Sequence, residues 1–328
     1  MIKTSTTAAP QVAPSSGTMR RLSGIDWRRY VIYIGFAVVF LVFAILLADQ
    51  GFLSATNLTN ILRQTATIMV IAVGMTYVIS AAEIDLSVGS IAGLSSVTTA
   101  MAISAWGVIP GILAGLASGV VVGAINGSLV SLLGIPSFLV TLGMMGVAVG
   151  TAQWITNSAP EPILSDTFNS IFGSGNVGPV PSLVVWAAVF VAVGTIVLSR
   201  TKFGRQVLAT GGNRTAADFT GINTKRIKFQ VLLISGIVAS IAGMLYAGQL
   251  QSGRFQWGSG DELSAIAAVI LGGTSLFGGS GTVIGTMFGA LLIGLINNGL
   301  VLAGLDSSQQ QIVRGGIIIL AVALARKK

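Results

Sequence analysis

Two carboxylates, Glu83 and Asp85, interrupt an apolar stretch of the chain in Ala81-Ala-Glu-Ile-Asp-Leu-Ser-Val-Gly89. A carboxylate at the centre of a bilayer costs about 2.5–3.5 kcal/mol on insertion scales, so it normally faces a cavity or a partner. One reading makes the segment the lining of a polar solute path, with Ser87 and the asparagines Asn126 and Asn297 adding hydrogen-bonding groups. The other reading is structural: a hydrophilic turn, a carboxylate that caps the next helix, and asparagines that bond helix to helix. Residue type and spacing leave both open.

Other chemistries are excluded by composition. The chain contains no Cys and no His. This removes disulfides, Zn–thiolate sites, Fe–S clusters, imidazole-ligated haem and catalysis by Cys or His. It also lacks G-x-x-x-x-G-K-[ST], so it has no P-loop of its own. The nearest approach, Gly272 to Thr282 (GGTSLFGGSGT), has the glycines without the lysine and reads as a tight turn between helices. No catalytic residue, metal or cofactor is expected.

The elements that must position these residues are membrane helices. Charged residues make up 9% of the chain and hydrophobic residues 53%, with a mean hydropathy of +0.86. A soluble domain carries about 25% charged residues. The fold class expected is an all-α integral membrane protein of about ten transmembrane helices. Apolar runs lie at about 30–48, 61–82, 88–105, 108–133, 136–157, 182–199, 229–250, 263–277, 282–303 and 308–325. Residues 1–29 read as a disordered, then basic, tail and 30–328 as the transmembrane domain. The net charge of +8 resides at the flanks of the apolar runs, which points to membrane topology and away from nucleic acid.

Orientation follows from those basic residues. The tail carries five, the stretch 200–228 seven and the Arg326-Lys327-Lys328 end three of the 18 Lys and Arg. Positive-inside bias then places both termini and the 200–228 loop in the cytoplasm. Asp49, Glu161, Asp166, Asp261, Glu262 and Asp306 fall in outer segments on this scheme. The apolar runs also repeat. Gly111, Gly115 and Gly119 recur as Gly281, Gly285 and Gly289, Asn126 recurs as Asn297, and Asp85-Leu-Ser87 recurs as Glu262-Leu-Ser264. Two halves, about 61–157 and 229–325, would be inverted-topology repeats of the kind that build transporters. Glycines spaced by four along 111–127 mark a helix face open to close packing.

The 200–228 loop has room for one or two surface helices. Gly211-Gly212-Asn213 can turn the chain, Asn213 or Thr215 can cap a helix, and Gly221 can end it. This gives a short helix with a small Ala216-Ala217 face, suited either to a groove on another protein or to anionic lipid headgroups.

Four stretches in order carry a family resemblance: EIDLSVGS at 83–90, TKFGRQVLATGGNRTAADFTGI at 201–222, LSAIAAVILGGTSLFGGSGT at 263–282 and GGIIILAVAL at 315–324. From about residue 50 to 325 the chain resembles permease subunits of bacterial ribose-type ABC sugar importers. The resemblance implies a homodimer of permease chains in the inner membrane, a pair of cytoplasmic ABC ATPase subunits and a periplasmic solute-binding protein. It implies that Gly204 to Ile222, with Gly204, Arg205, Gly212, Asn213, Ala216, Ala217 and Gly221, is the segment that couples to the ATPase. The cargo implied is a monosaccharide or related polyol. Two alternatives remain: an ion-coupled secondary transporter using Asp85 or Glu83 as its proton site, and a branched-chain amino-acid permease of the same ABC architecture.

Overall fold

The computed structural model of the protein describes residues 31–325. The 1–29 tail and the Arg326-Lys327-Lys328 end lie outside the described residues. The helices, in order, are α1 Val31–Leu46, α2 Ala55–Ser80, α3 Val88–Trp106, α4 Val108–Leu132, α5 Ser137–Thr156, α6 Asp166–Phe172, α7 Ser182–Arg200, α8 Lys202–Gly212, α9 Arg214–Phe219, α10 Thr224–Leu250, α11 Asp261–Leu271, α12 Val283–Leu302 and α13 Ser307–Ala325. Among the described residues seven of these, α2, α3, α4, α5, α7, α10 and α12, are long and apolar enough to cross a membrane. Strands are confined to two-residue pairs. Glu161–Pro162 (β1) pairs with Ser252–Gly253 (β4), and Asn176–Val177 (β2) pairs with Val180–Pro181 (β3).

The bundle is layered by burial. The most apolar windows of α2 and α10 are 78% and 72% buried, whereas those of α4, α5 and α7 are 28%, 22% and 33% buried. In lipid the outer helices have no reason to hide their apolar side chains, so exposure of Ile109, Leu113, Leu139 and Val193 is what a bilayer-facing layer requires. The two central helices extend further than their apolar runs indicate. α2 starts at Ala55 because the Ser54 hydroxyl accepts from the Asn57 N–H (3.2 Å), and α10 starts at Thr224 because Asn223 accepts from Arg226 N–H (2.9 Å). Such side-chain caps occupy N–H groups that the helix itself cannot satisfy.

The four-residue glycine spacing on α4 is a contact surface. A Cβ added at Gly119 would run into the Gly236 carbonyl and the Ser240 side chain of α10, and one added at Gly236 would run into the Gly119 carbonyl. Gly123 and Gly127 continue this face against Leu232, Leu233 and Phe229. The related glycines on α12 do the same with other partners: Gly285 meets Gly272, Gly289 meets Ala268 of α11, and Gly294 meets Thr65 of α2. Polar pairs run along the α2–α12 contact. Thr76 and Thr286 share a hydrogen bond of 2.9 Å, and the amides of Asn57 and Asn298 bond reciprocally at 3.1 and 2.9 Å.

Both central helices are followed by non-helical backbone. After α2 the chain runs irregularly through 81–87, entering by Ala82 at φ 60, and after α10 through 251–260, entering by Gln251 at φ 52. A left-handed conformation is uncommon for a residue with a Cβ. The second break descends along α3: Gly253 lies against Ser96 and Ala100, the Phe255 carbonyl against Gly93, and Gly258 against Gly89. Eleven residues of helix correspond to about 16 Å. Asp261 and Glu262 therefore do not sit in an outer segment, as the charge scheme expects. They begin α11 well inside the bundle, and the apolar run read as 263–277 ends as helix at Leu271, where Gly273, Gly278 and Gly279 at positive φ turn the chain into α12.

Gly119→Ala should lower the thermal midpoint in detergent, since overpacking a tight contact costs about 1–3 kcal/mol. Gly35→Ala, where an added Cβ meets nothing within 4 Å, should leave the midpoint unchanged or raise it slightly. Equal midpoints for the two variants would show that the α4–α10 glycine face is not a close contact.

Candidate functional site

The first break is organised by its own carboxylates. Asp85 is fully buried, and its Oδ1 accepts from both the N–H (2.9 Å) and the hydroxyl (2.6 Å) of Ser87. Asn126 of α4, also fully buried, donates through Nδ2 to the Ser87 hydroxyl (3.0 Å). Asp85, Ser87 and Asn126 thus form one group at the entry to α3. This favours the structural reading of Asp85, a carboxylate that holds Ser87, the residue from which the following helix starts. Asn297 is half-buried on α12, and its neighbour Asn298 makes the interhelical bond. The asparagine echo in the sequence marks the right stretch of α12, one residue away from the side chain that bonds.

Glu83 behaves differently. It is 6% exposed and forms an ion pair with the Lys228 ammonium of α10, itself largely covered. Lys228 is the last residue of the 200–228 stretch and lies near the start of α10, so the pair ties the start of α10 to the first break.

The loop and the break also meet through backbone. A Cβ at Gly211 would enter the Ser80 carbonyl, Gly279 packs on the Cα of Gly212, and Gly278 packs on Ala82. The Gly279 N–H donates to the Ser80 carbonyl (3.0 Å). The end of α8, the end of α2 and the α11–α12 turn are therefore interlocked through pairs of glycines, with no side chain between them to give way.

Within the loop, the Thr201 hydroxyl accepts from the Gly204 N–H (3.2 Å) and starts α8, and Gly204 is buried against the Leu198 carbonyl. Arg205 is exposed. Asn213 caps α9 by accepting from the Ala216 N–H (3.0 Å), while Gly221, at φ 83, turns the chain after it. Asp218 accepts from the Thr224 hydroxyl (2.7 Å) and so closes the loop onto α10. One expectation is corrected: Ala217 does not share an outward face with Ala216. Ala217 is 4% exposed and faces the chain's own body, because α9 has only six residues and one side of so short a helix is taken up by the loop that carries it. The outward side carries Thr215, Ala216 and, 87% exposed, Phe219. Sequence reasoning passed over Phe219, although it is the aromatic in an otherwise small and polar helix.

A separate cavity of about 130 Å³ lies between the second break and the first turn of α3. It is lined by Gly89 and Ser90 of α3, Met145 and Val149 of α5, Phe255, Gln256 and Ser259 of the second break, and Glu262 of α11. Gly89 has to be glycine here, because a Cβ would meet the Gly258 carbonyl and the Glu262 carboxylate. None of Glu83, Asp85, Ser87, Asn126 or Asn297 is among the lining residues. Asp85 and Glu262, matched in the internal repeat, therefore have different surroundings: Asp85 is enclosed with Ser87 and Asn126, whereas Glu262 faces a cavity.

Comparison with known proteins agrees with this architecture. Residues 57–322 match the family model described as branched-chain amino acid transport system / permease component. The chain is 41% identical over 290 residues to the probable ABC transporter permease protein YphD of Escherichia coli (strain K12), covering 87% of this chain and 86% of that protein. It is 39% identical over 298 residues to the ribose import permease protein RbsC of Bacillus subtilis (strain 168), covering 90% and 92% respectively. It is 36% identical over 304 residues to the D-allose transport system permease protein AlsC of Escherichia coli (strain K12), covering 92% of each.

The Glu83–Lys228 pair can be tested by a double-mutant cycle. Lys228→Met leaves a buried carboxylate without its cation, and breaking a buried pair in this way costs about 3–5 kcal/mol. The double variant Glu83→Gln/Lys228→Met should lose less stability than Lys228→Met alone. Strictly additive losses in thermal unfolding would show that the two groups do not interact.

Proposed function

The chain belongs to the branched-chain amino acid transport system / permease component family, and from that premise we propose that it is the permease subunit of an ABC importer for a monosaccharide or related polyol. The observation that carries this reading is the similarity to ribose and D-allose permeases along about nine-tenths of both chains. It does not favour the alternatives. A secondary transporter would need an ionisable group on the solute path, and Asp85 and Glu83 are engaged in structural bonds. Although the family model is described by amino-acid transport, RbsC and AlsC are named for ribose and D-allose.

The proposed topology has ten crossings, the seven long apolar helices plus α1, α11 and α13, with both termini and the α8–α9 loop in the cytoplasm of a bacterial inner-membrane protein. Seven Lys and Arg between 200 and 228 support that orientation. Two inverted repeats, α2–α5 and α10–α13, are supported by matching events. Each opens with a long buried helix and continues through a break entered by a left-handed residue, then through a glycine-faced helix packed on the opening helix of the other repeat. Residues 30–328 are then one transmembrane domain carrying the coupling loop 200–228.

In this reading the chain works as a homodimer with two ATPase subunits and a periplasmic solute-binding protein. Gly143, Gly146 and Gly150 on α5, where added Cβ atoms meet nothing, leave a face that a second copy can approach closely. ATP binding and hydrolysis occur on the partner subunits. Their closure displaces α9, and the displacement passes along two rigid links, the glycine interlock of Gly211-Gly212 with Ser80 and Gly278-Gly279, and the Lys228–Glu83 pair. Both links end at the first break, so a movement of the loop acts on the entry to α3. Shifting such an equilibrium from 1:99 to 99:1 requires about 5.5 kcal/mol of differential binding, which ATP supplies on the partner. Phe219 is the contact proposed for the ATPase groove, since burying an aromatic of that exposure contributes about 1.5–3 kcal/mol.

The test is uptake by proteoliposomes that hold the permease, its ATPase and its binding protein. Uptake of sugar should require ATP and survive collapse of the proton gradient, and the reverse result would sink the importer reading. Phe219→Asp should reduce ATP-driven uptake at least tenfold while leaving membrane insertion intact. Wild-type uptake in that variant would remove Phe219 from the docking surface.

A further inference from the structure

The cavity between the second break and the start of α3 has the composition of a site for a small hydroxylated ring. Four of its side chains are polar, Ser90, Gln256, Ser259 and Glu262, and they come from three different segments. A hydroxyl both donates and accepts. The Glu262 carboxylate is an acceptor only, the Gln256 amide does both, and the two serine hydroxyls adapt to either role. Phe255, Met145 and Val149 supply the apolar remainder. Such a mixture, few polar groups converging within an apolar wall, characterises small-molecule sites. A volume of about 130 Å³ is close to the ~150 Å³ of an engineered cavity that holds benzene, the scale of one six-membered ring.

Its position gives the cavity a role. Non-helical backbone at membrane depth is tolerated where it is enclosed by protein or lines a polar cavity, and in repeat-built transporters the solute site lies at such breaks. The second break lines this cavity with Phe255, Gln256 and Ser259, while its other side chains are used elsewhere: the Arg254 guanidinium lies over the Trp257 ring at 5.5 Å from its centroid. The first break does not itself line the cavity, but α3, the helix that leaves it, does so through Gly89 and Ser90, immediately beyond the Asp85–Ser87 group. A displacement of the first break therefore moves one wall of the cavity against the other.

We propose that this cavity, between Ser90 of α3, Gln256 and Ser259 of the second break and Glu262 of α11, is a transient binding site for one monosaccharide within each permease chain, with Glu262 accepting from its hydroxyl groups. The proposal rests on the sugar-importer reading. It adds to that reading a sugar contact inside the permease, separate from the delivery of solute by a binding protein. A transport site must release its solute as readily as it takes it up, so the affinity expected is weak, a Kd of about 1 mM.

The chain has no cysteine, so a thiol introduced at this site is the only one the permease carries, and labelling is read on the permease band. The full complex carrying Ser259→Cys would be labelled with a maleimide with and without 0.1 M D-ribose or D-allose, roughly a hundredfold above that Kd. The sugar that the complex imports should slow labelling at least tenfold, and sucrose at equal concentration should not. Adding Glu262→Gln should weaken the protection about tenfold, as expected for loss of a hydrogen bond to a charged group. Labelling at Ser199→Cys, an exposed position on α7, should be unaffected. Import without protection, or equal slowing at both positions, overturns the site and leaves the importer reading standing. A complex that imports no monosaccharide or polyol with ATP and shows no protection by any of them overturns both.

Discussion

Backbone N–H and C=O groups cannot be left unpaired in a bilayer, and the protein answers that constraint at two places where its helices stop short. Every other feature of the bundle is arranged around these breaks. In the first, the Ile84 N–H donates to the Ser137 hydroxyl (3.0 Å), the Leu86 N–H to Thr141 (3.0 Å) and the Ser87 N–H to Asp85 (2.9 Å). In the second, the Arg254 N–H donates to the Ser96 hydroxyl (3.1 Å) and the Trp257 N–H to the Arg254 carbonyl (3.2 Å). Hydroxyls on α5 thus serve the first break and one on α3 serves the second. The buried serines and threonines of this otherwise apolar chain are, at these positions, substitutes for a helical partner.

The same constraint explains the glycines. An extended segment can be enclosed only if the helices around it come close, and a Cβ at Gly93 or Gly253 would occupy the space in which the second break lies against α3. Close approach in turn makes the bundle stiff. Where Gly211 and Gly212 meet Ser80 and Gly279, backbone touches backbone, and a displacement there cannot be absorbed by a side-chain rotamer. Packed contacts of this kind hold discrete arrangements and do not deform smoothly, which suits a protein that must alternate between two openings.

Much of this was legible in the sequence, and the parts that were not have physical causes. Apolar runs locate the long helices because lipid exposure imposes composition directly. The interruption at Glu83–Asp85, the turn at Gly272–Thr282 and the Asn213 cap are equally local and were read from residue type. The depth of Asp261 and Glu262 was not. Two adjacent carboxylates look like a surface segment, and only the long-range contact of Gly253, Phe255 and Gly258 with α3 brings them inside. Ala217 and Phe219 exchanged roles for a similar reason, since which side of a six-residue helix faces out depends on the loop that closes it, here through Asp218 and Thr224. The repeat echo Asp85-Leu-Ser87 with Glu262-Leu-Ser264 marks two helix starts, those of α3 and α11, but the surroundings differ: Asp85 is enclosed with Ser87 and Asn126, and Glu262 lines the cavity.

Three of the carboxylates packed within the bundle, Asp85, Glu83 and Glu262, show how one residue type is divided among tasks by its surroundings. Asp85 is enclosed, and its oxygen is committed to the N–H and hydroxyl of Ser87, so it behaves as part of the backbone of the break. Glu83 is paired with a lysine that belongs to the helix leaving the α8–α9 loop, so its charge measures the distance between loop and break. Glu262 stands at a cavity wall with serines and an amide around it, where an acceptor remains available to whatever enters. An import path needs all three: a fixed break, a link that moves it, and a group that meets the solute. Placing them on separate carboxylates lets the link change without altering the hydrogen bonds that keep the break folded.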